Sequence, residues 1–375
     1  MQIKNFFKLD LGTNRMFGLD LLRMLAILLV VFFHSYTLIP TSIHPFFDFF
    51  YFDGVCIFFV LSGFLIGGII INSVEKKGFS RSELFIFWTR RWFRTLPNYY
   101  LFLFIMALLY KLFIKGFSLR IVFPYLFFCQ NLFTDMKVSF FGETWSLSVE
   151  EWFYITIPLI IFISVNFLKI KFRKSIIFLS AFILLFSVFI RYCMYTGHFP
   201  QTIDYTRVVT MRMDNLMYGF IGAYISYYYK SFWIRNKFKL FILGIFLLLS
   251  WKVLYYQFPT MEGFFYSNIF FPLFCTGILA LLPILSEYKI EKYNKITTAV
   301  TYISLISYSL YLIHYSLVKK LLIDTLFFNS YDENSTVILI LKNMFYWVVS
   351  IVGALIVYKY FEIPTTKLRD KIKFK

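Results

Sequence analysis

Blocks of about twenty apolar residues recur along the whole chain, and few folds can absorb that pattern. A hydrocarbon core is about 30 Å thick and offers backbone groups no water, so a helix of about twenty residues is the natural unit to cross it. Ten such blocks fall at about 17–38, 52–72, 98–114, 146–166, 175–196, 209–229, 239–256, 266–285, 299–318 and 337–358. With 59% hydrophobic residues and a mean hydropathy of +0.70, the 375-residue chain is far from a soluble composition. The expectation is an all-α, polytopic integral membrane protein whose residues 1–375 form one domain. The first block is too long for a secretory h-region and lacks a small-residue cleavage site, so it reads as a retained span. Residues 119–132 are also apolar, but they are few and contain Pro124. They suit a re-entrant or interfacial piece on the outer side.

A net charge of +18 raises nucleic acid as a partner, but the distribution of the charge argues against it. With the N-terminus inside, inner segments hold 26 of the 38 Lys and Arg, counting Lys239 with its loop, and outer segments hold six. That asymmetry follows the positive-inside rule and puts both termini in the cytoplasm, with membrane lipid as the natural partner of the excess cation. The four cysteines, Cys56, Cys129, Cys193 and Cys275, lie in apolar stretches without metal-ligand spacing. They read as packing residues, and no metal is expected.

Several ionisable residues fall within or beside the spans, where their cost makes them candidates for function. Arg23 and His34 are eleven residues apart on the first span. On a helix they face the same way, separated by an axial rise of roughly 16 Å. Arg90, Arg91 and Arg94 precede Pro97 on the inner side, and Arg91 and Arg94 share a helical face. Pro97 is expected to end that helix near the membrane surface. Guanidinium forks suit phosphate oxygens, although a basic cluster here could equally be a topological anchor. Glu150 and Glu151 head the fourth span as either dipole partners or chemistry. Glu150 lies deep enough to orient an imidazole such as that of His34. Arg191, Arg212, Asp214 and Lys252 lie at comparable height in the outer half. They form either a polar cavity with His34 and Glu150 or a structural network. His314 is a second site residue or a helix-packing histidine, while His44 and His198 fall in outer loops.

These pieces, in this order, resemble the acyltransferase 3 family of membrane O-acyltransferases. The resemblance is carried by GLDLLRMLAILLVVFFH, in which ten residues intervene between Arg23 and His34, and by GVCIFFVLSGFLIG, RRWFRTLP, WSLSVEEWFY, RMDNLMYG and SYSLYLIH. It covers nearly the whole chain. It implies transfer of an acyl group, usually acetyl from acetyl-CoA as co-substrate, to an extracytoplasmic sugar or cell-surface polysaccharide in the cell (inner) membrane. It further implies His34 as the catalytic residue with Arg23 and Glu150 as its motif partners, and Arg90, Arg91 and Arg94 as acyl-CoA contacts. Many relatives carry an appended SGNH-type domain. These residues hold none, so a separate extracytoplasmic acyl-transfer partner is an open expectation.

On this reading His34 acts as general base on the acceptor hydroxyl and Glu150 holds its tautomer, with an outer-half group such as Arg212, Asp214 or His314 on the acceptor or the oxyanion. An acyl-enzyme route stays open beside direct transfer. The rival class is a transporter or flippase of a glycolipid. No interrupted pair of spans recurs in the two halves, and the Arg cluster faces the donor side only, which weighs against it.

Overall fold

The computed structural model describes residues 9, 11, 15–134, 136, 140–197, 206–258, 264–290, 292–328 and 335–372, apart from the side chains of Tyr266 and Ser267. His198 lies outside them. The main helices are α1 (Phe17–His34), α2 (Gly54–Lys77), α3 (Arg81–Phe113), α4 (Trp145–Asn166) and α5 (Phe172–Tyr195), followed by α6 (Val209–Tyr228), α7 (Lys237–Gln257), α8 (Phe270–Glu287), α9 (Lys295–Ile313) and α10 (Thr336–Val357). No strand occurs among the described residues. The protein is an all-α polytopic membrane protein.

Nine helical stretches among the described residues are long and apolar enough to cross a membrane, and α6 is not one of them. Its first two turns carry Arg212, Asp214 and Asn215, all buried in the protein interior. α6 instead packs along α2 at very short range. A methyl group on Gly63 would lie 1.8 Å from the Leu216 carbonyl oxygen, and one on Gly219 would lie 1.8 Å from that of Val60. Small residues at such a seam let two backbones touch.

α3 departs from expectation at Pro97. The helix does not stop there but runs on to Phe113, 33 residues in all. Proline removes one i→i−4 hydrogen bond, and tertiary contacts carry the helix past the gap. Tyr308 donates to the Thr95 carbonyl at 2.8 Å, two residues before the proline. At about 50 Å long, α3 exceeds the hydrocarbon core, so its first turns project beyond it at the arginine end. Gly78, at φ +76, turns the chain out of α2, and Ser80 Oγ then accepts from the Glu83 amide at 3.3 Å to start α3.

Residues 119–132 form short helical turns that dip back into the bundle. Buried backbone away from helices needs partners. Here Tyr99 donates to the Tyr125 carbonyl at 2.7 Å, Tyr100 to that of Leu126 at 2.9 Å and Trp152 to that of Phe128 at 2.9 Å. Tyr99 lies fourteen residues from the α3 end, so the segment folds back along α3 by about 20 Å.

The apolar interior falls into two large clusters, one around α2, α6 and α8 and one around α3, α9 and residues 119–132, beside a small third one at Met194, Val208 and Met211. Val55, Phe58 and Trp152 touch both. The candidate site lies between them. At one end of the bundle Met16, Lys76, Arg90, Glu287 and Arg369 line a single vestibule of about 1170 Å³. The start of α1 and the chain beyond α10 therefore share one end.

Candidate active site

His34 is the last residue of α1 and meets His314, the first residue of the π-helical stretch His314–Phe327 that continues α9. His34 Nδ1 and His314 Nε2 are 2.8 Å apart. His314 Nδ1 lies 2.8 Å from the Tyr311 carbonyl oxygen and 3.1 Å from that of Leu310. Carbonyls only accept, so Nδ1 of His314 carries a proton and, in the neutral ring, Nε2 does not. Nε2 must then accept from His34 Nδ1–H. The lone pair of His34 is therefore left on Nε2, which has no hydrogen-bond partner among the described residues. A buried histidine and two main-chain carbonyls thus fix the tautomer of a half-buried one. The Tyr315 ring packs on His34 with 4.3 Å between centroids.

Eleven residues earlier on α1, Arg23 lines a cavity of about 190 Å³ together with Arg91, Arg94, Ser62, Glu150 and Tyr311. Arg91 and Arg94 also line the large vestibule, so the two spaces meet at these arginines. Arg90 lines the vestibule only. Arg91 sits 4.1 Å over the Tyr154 ring, hydrogen-bonds to its hydroxyl, and lies 3.6 Å from Glu150 Oε2. Its buried Nε has no partner among the described residues. Arg23 is held 3.5 Å from Asp20 and 3.4 Å from Ser304 Oγ. Tyr311 and Ser146, whose hydroxyls are 2.6 Å apart, also line the cavity, whereas His34 does not. The Tyr311 ring centroid is 5.7 Å from that of His314.

The expected grouping of outer-half residues separates into different networks. The partner of the His34 imidazole is His314, not Glu150, which accepts instead from Ser62 at 2.7 Å and from Tyr154 at 2.8 Å. Asp214 pairs with Arg191 at 2.7 Å with both side chains fully buried. Arg212 packs 3.8 Å over the Phe271 ring and donates to Cys56 Sγ at 3.2 Å. Neither Arg212 nor Asp214 lines the cavity. Lys252 donates to the carbonyls of Asp48 at 2.6 Å and Tyr51 at 2.8 Å, tying the loop after α1 to α7. Burial explains the difference: in a dry interior a charge takes the nearest available counter-charge or carbonyl, wherever the sequence has put it. Among the described residues no three His, Cys, Asp or Glu side chains gather as metal ligands would.

The sequence profile of a family described as an acyltransferase domain matches residues 16–359. The chain belongs to the acyltransferase 3 family. It is 29% identical over 243 residues to the O-acetyltransferase OatA of Staphylococcus aureus strain NCTC 8325 / PS 47, covering 60% of this chain and 37% of that protein. OatA of strain COL gives the same figures. The chain thus spans well under half the length of these curated relatives. No solved structure matches it.

Two features of this acyltransferase 3 site go beyond the candidates named from sequence. Asp20 bridges Arg15 at 2.6 Å and Ser304 at 2.8 Å besides facing Arg23, and its place one turn before Arg23 was the available signal. Glu143 is buried at the start of α4 and accepts from the Ser316 amide at 3.2 Å and from the Ser316 hydroxyl. Its carbonyl accepts from Tyr311 at 2.8 Å. Nothing in the spacing links residue 143 to residue 316. The contact exists only once α9 is folded against α4.

Proposed function

We propose that this acyltransferase is an O-acetyltransferase that draws acetyl from acetyl-CoA at the arginine end and delivers it to a sugar hydroxyl at the histidine end. The observation that carries the reading is that α1 ends in His34, whose Nε2 has no hydrogen-bond partner among the described residues, and eleven residues earlier carries Arg23 in a cavity shared with Arg91 and Arg94. By charge asymmetry the arginine end is cytoplasmic, where acyl-CoA is made, and the other end faces the cell envelope. The acceptor is then a cell-surface polysaccharide or its lipid-carried precursor, and the membrane is the cell (inner) membrane. A separate extracytoplasmic protein is a further candidate recipient of the acyl group.

Arg90, Arg91 and Arg94 would hold the nucleotide phosphates, with Arg91 Nε as a donor still unused. The pantetheine arm reaches roughly 15–20 Å, about half the hydrocarbon thickness. That matches the roughly 16 Å rise from Arg23 to His34. The acceptor oxygen attacks the thioester carbonyl carbon while its proton passes to His34 Nε2. The carbon–sulfur bond breaks, and the CoA thiolate takes that proton from the imidazolium. His34 Nδ1–H keeps its bond to His314 throughout, so the ring is ready for the next cycle. His314 is a positioning residue on this scheme, and Glu150 acts by orienting Arg91.

The test is release of free CoA by purified chain in lipid vesicles given acetyl-CoA and envelope glycan. His34→Ala should cut the rate by about 10²–10⁴-fold, the usual contribution of a positioned base. Full transfer by that variant at equal membrane abundance would refute its role, and acetylated protein trapped without acceptor would refute direct transfer. A flippase would release no CoA at all.

A further inference from the structure

One buried carboxylate stands between two arginines at the start of α1, and it does not hold them alike. Asp20 lies in the first turn, and the i+3 spacing makes Arg23 its neighbour on the helix. Yet the close partner is Arg15, in the chain before α1. Arg15 Nε donates to Asp20 Oδ2 at 2.6 Å and Nη2 donates to Oδ1, a fork that takes the whole carboxylate. Ser304 of α9 donates to Oδ1 as well, at 2.8 Å. Arg23 Nη1 is left 3.5 Å from Oδ1 and 3.4 Å from Ser304 Oγ, both longer than a typical hydrogen bond. Among the described residues no closer hydrogen bond or ion pair holds Arg23.

The two arginines also differ in place. Arg23 lines the cavity of about 190 Å³ with Arg91 and Arg94, whereas Arg15 lines neither that cavity nor the vestibule. Glu150, a carboxylate of the same cavity, accepts from Ser62 and Tyr154 and has Arg91 at 3.6 Å. Arg23 therefore meets the cavity as a cation without a close carboxylate. A buried charge that loses its partner takes the nearest counter-charge. Without Arg15 that partner would be Arg23, whose fork would turn onto Asp20 and away from the cavity. The trio of Arg15, Asp20 and Arg23 is net positive, but Asp20 and Arg23 alone are neutral, so attraction for an anionic donor would fall too.

We infer that Arg15 is a positioning residue: it occupies Asp20, so that the Arg23 guanidinium stays free to donate to an acceptor oxygen of the acyl donor in the cavity. The inference rests on the acyl-transfer reading and adds to it a residue outside both the arginine cluster and the histidine pair. A charge-assisted hydrogen bond from Arg23 is worth on the order of tenfold in affinity.

The test is a double-mutant cycle on CoA binding by the 375-residue chain, read by titration calorimetry in detergent, with acetyl-CoA turnover in vesicles measured beside it. Arg15→Gln should raise the Kd for CoA and the KM for acetyl-CoA about tenfold, with kcat within about threefold. Asp20→Asn should bind CoA more tightly than wild type, because Arg23 loses its competing anion. In the Asp20→Asn background, Arg15→Gln should then change the Kd by less than about threefold. Calorimetric stoichiometry reports the folded fraction, so lost protein is not mistaken for lost affinity. A Kd unmoved by Arg15→Gln would overturn the inference. So would a tenfold loss that persists in the Asp20→Asn background, which makes Arg15 a direct CoA contact. Weaker binding by Asp20→Asn also overturns it, since Asp20 then holds Arg23 in its working position. The expected cycle in CoA binding without CoA release from acetyl-CoA leaves the inference standing and ends the acyl-transfer reading. Release of CoA with a flat cycle does the reverse.

Discussion

Replacing His314 isolates the step on which the proposed chemistry turns. Its Nε2 is the acceptor for His34 Nδ1–H at 2.8 Å, and the side chain is fully buried. Removing the acceptor forfeits a hydrogen bond with a net value of about 0.5–1.5 kcal/mol, or roughly two- to tenfold. It also releases the ring to the other tautomer, and the upper bound of that loss is the whole base contribution of about 10²–10⁴. His314→Ala should therefore lower kcat by about 10–100-fold with the KM for acetyl-CoA unchanged, because Arg91 and Arg94 belong to the other end of the site. The alanine variant also opens a cavity that costs about 2–3 kcal/mol of stability, so two further substitutions separate packing from proton logic. His314→Phe fills the space without an acceptor and should be as slow as the alanine variant. His314→Gln returns an acceptor oxygen near the Nε2 position and should recover to within about fivefold of wild type. The assay is CoA release in vesicles, normalised to folded protein in the membrane. A phenylalanine variant with wild-type kcat, or a glutamine variant no faster than phenylalanine, would refute the tautomer argument.

Other expectations test the remaining parts. Arg91→Lys and Arg94→Lys should each raise the KM for acetyl-CoA about tenfold with kcat within threefold, because an ammonium cannot reproduce a planar fork; CoA titration calorimetry checks the binding term. Gly63→Val should cost at least about 3 kcal/mol, since even a Cβ would overlap the Leu216 carbonyl, whereas Gly68→Ala meets nothing within 4 Å and should be neutral; both are read from detergent melting curves. Arg191→Met alone should cost about 3–5 kcal/mol by stranding buried Asp214, and adding Asp214→Leu should restore most of it in the same melts.

The membrane architecture was legible because hydropathy is summed over local windows, and each helix satisfies its own backbone. Residues 119–132 stood apart from the spans for the same reason: they are too few to cross. Pro97 does not end the helix because propensity weighs one lost hydrogen bond, while the fold adds Tyr308 and the packing of α3 against α9 beside it. α6 was placed correctly as a helix, but its polar first turns, buried against α2, keep it from reading as an independent span.

The site was legible only along single helices. Arg23 and His34 share a face because both lie on α1, and Arg91 and Arg94 line one cavity because both lie on α3. Choice of partner is a different matter, because it is settled between helices far apart in sequence. Residues 34 and 314 are 280 positions apart, and no spacing rule reaches that far. Glu150 had the right type and depth to hold an imidazole, yet Ser62, Tyr154 and Arg91 surround it and use its lone pairs. A carboxylate at His34 would also stabilise the imidazolium and hold the proton there. A neutral histidine backed by two carbonyls fixes the tautomer without that penalty, leaving a base that can release its proton to the departing thiolate. The rate should therefore depend more on His314 as an acceptor than on any charge at Glu150.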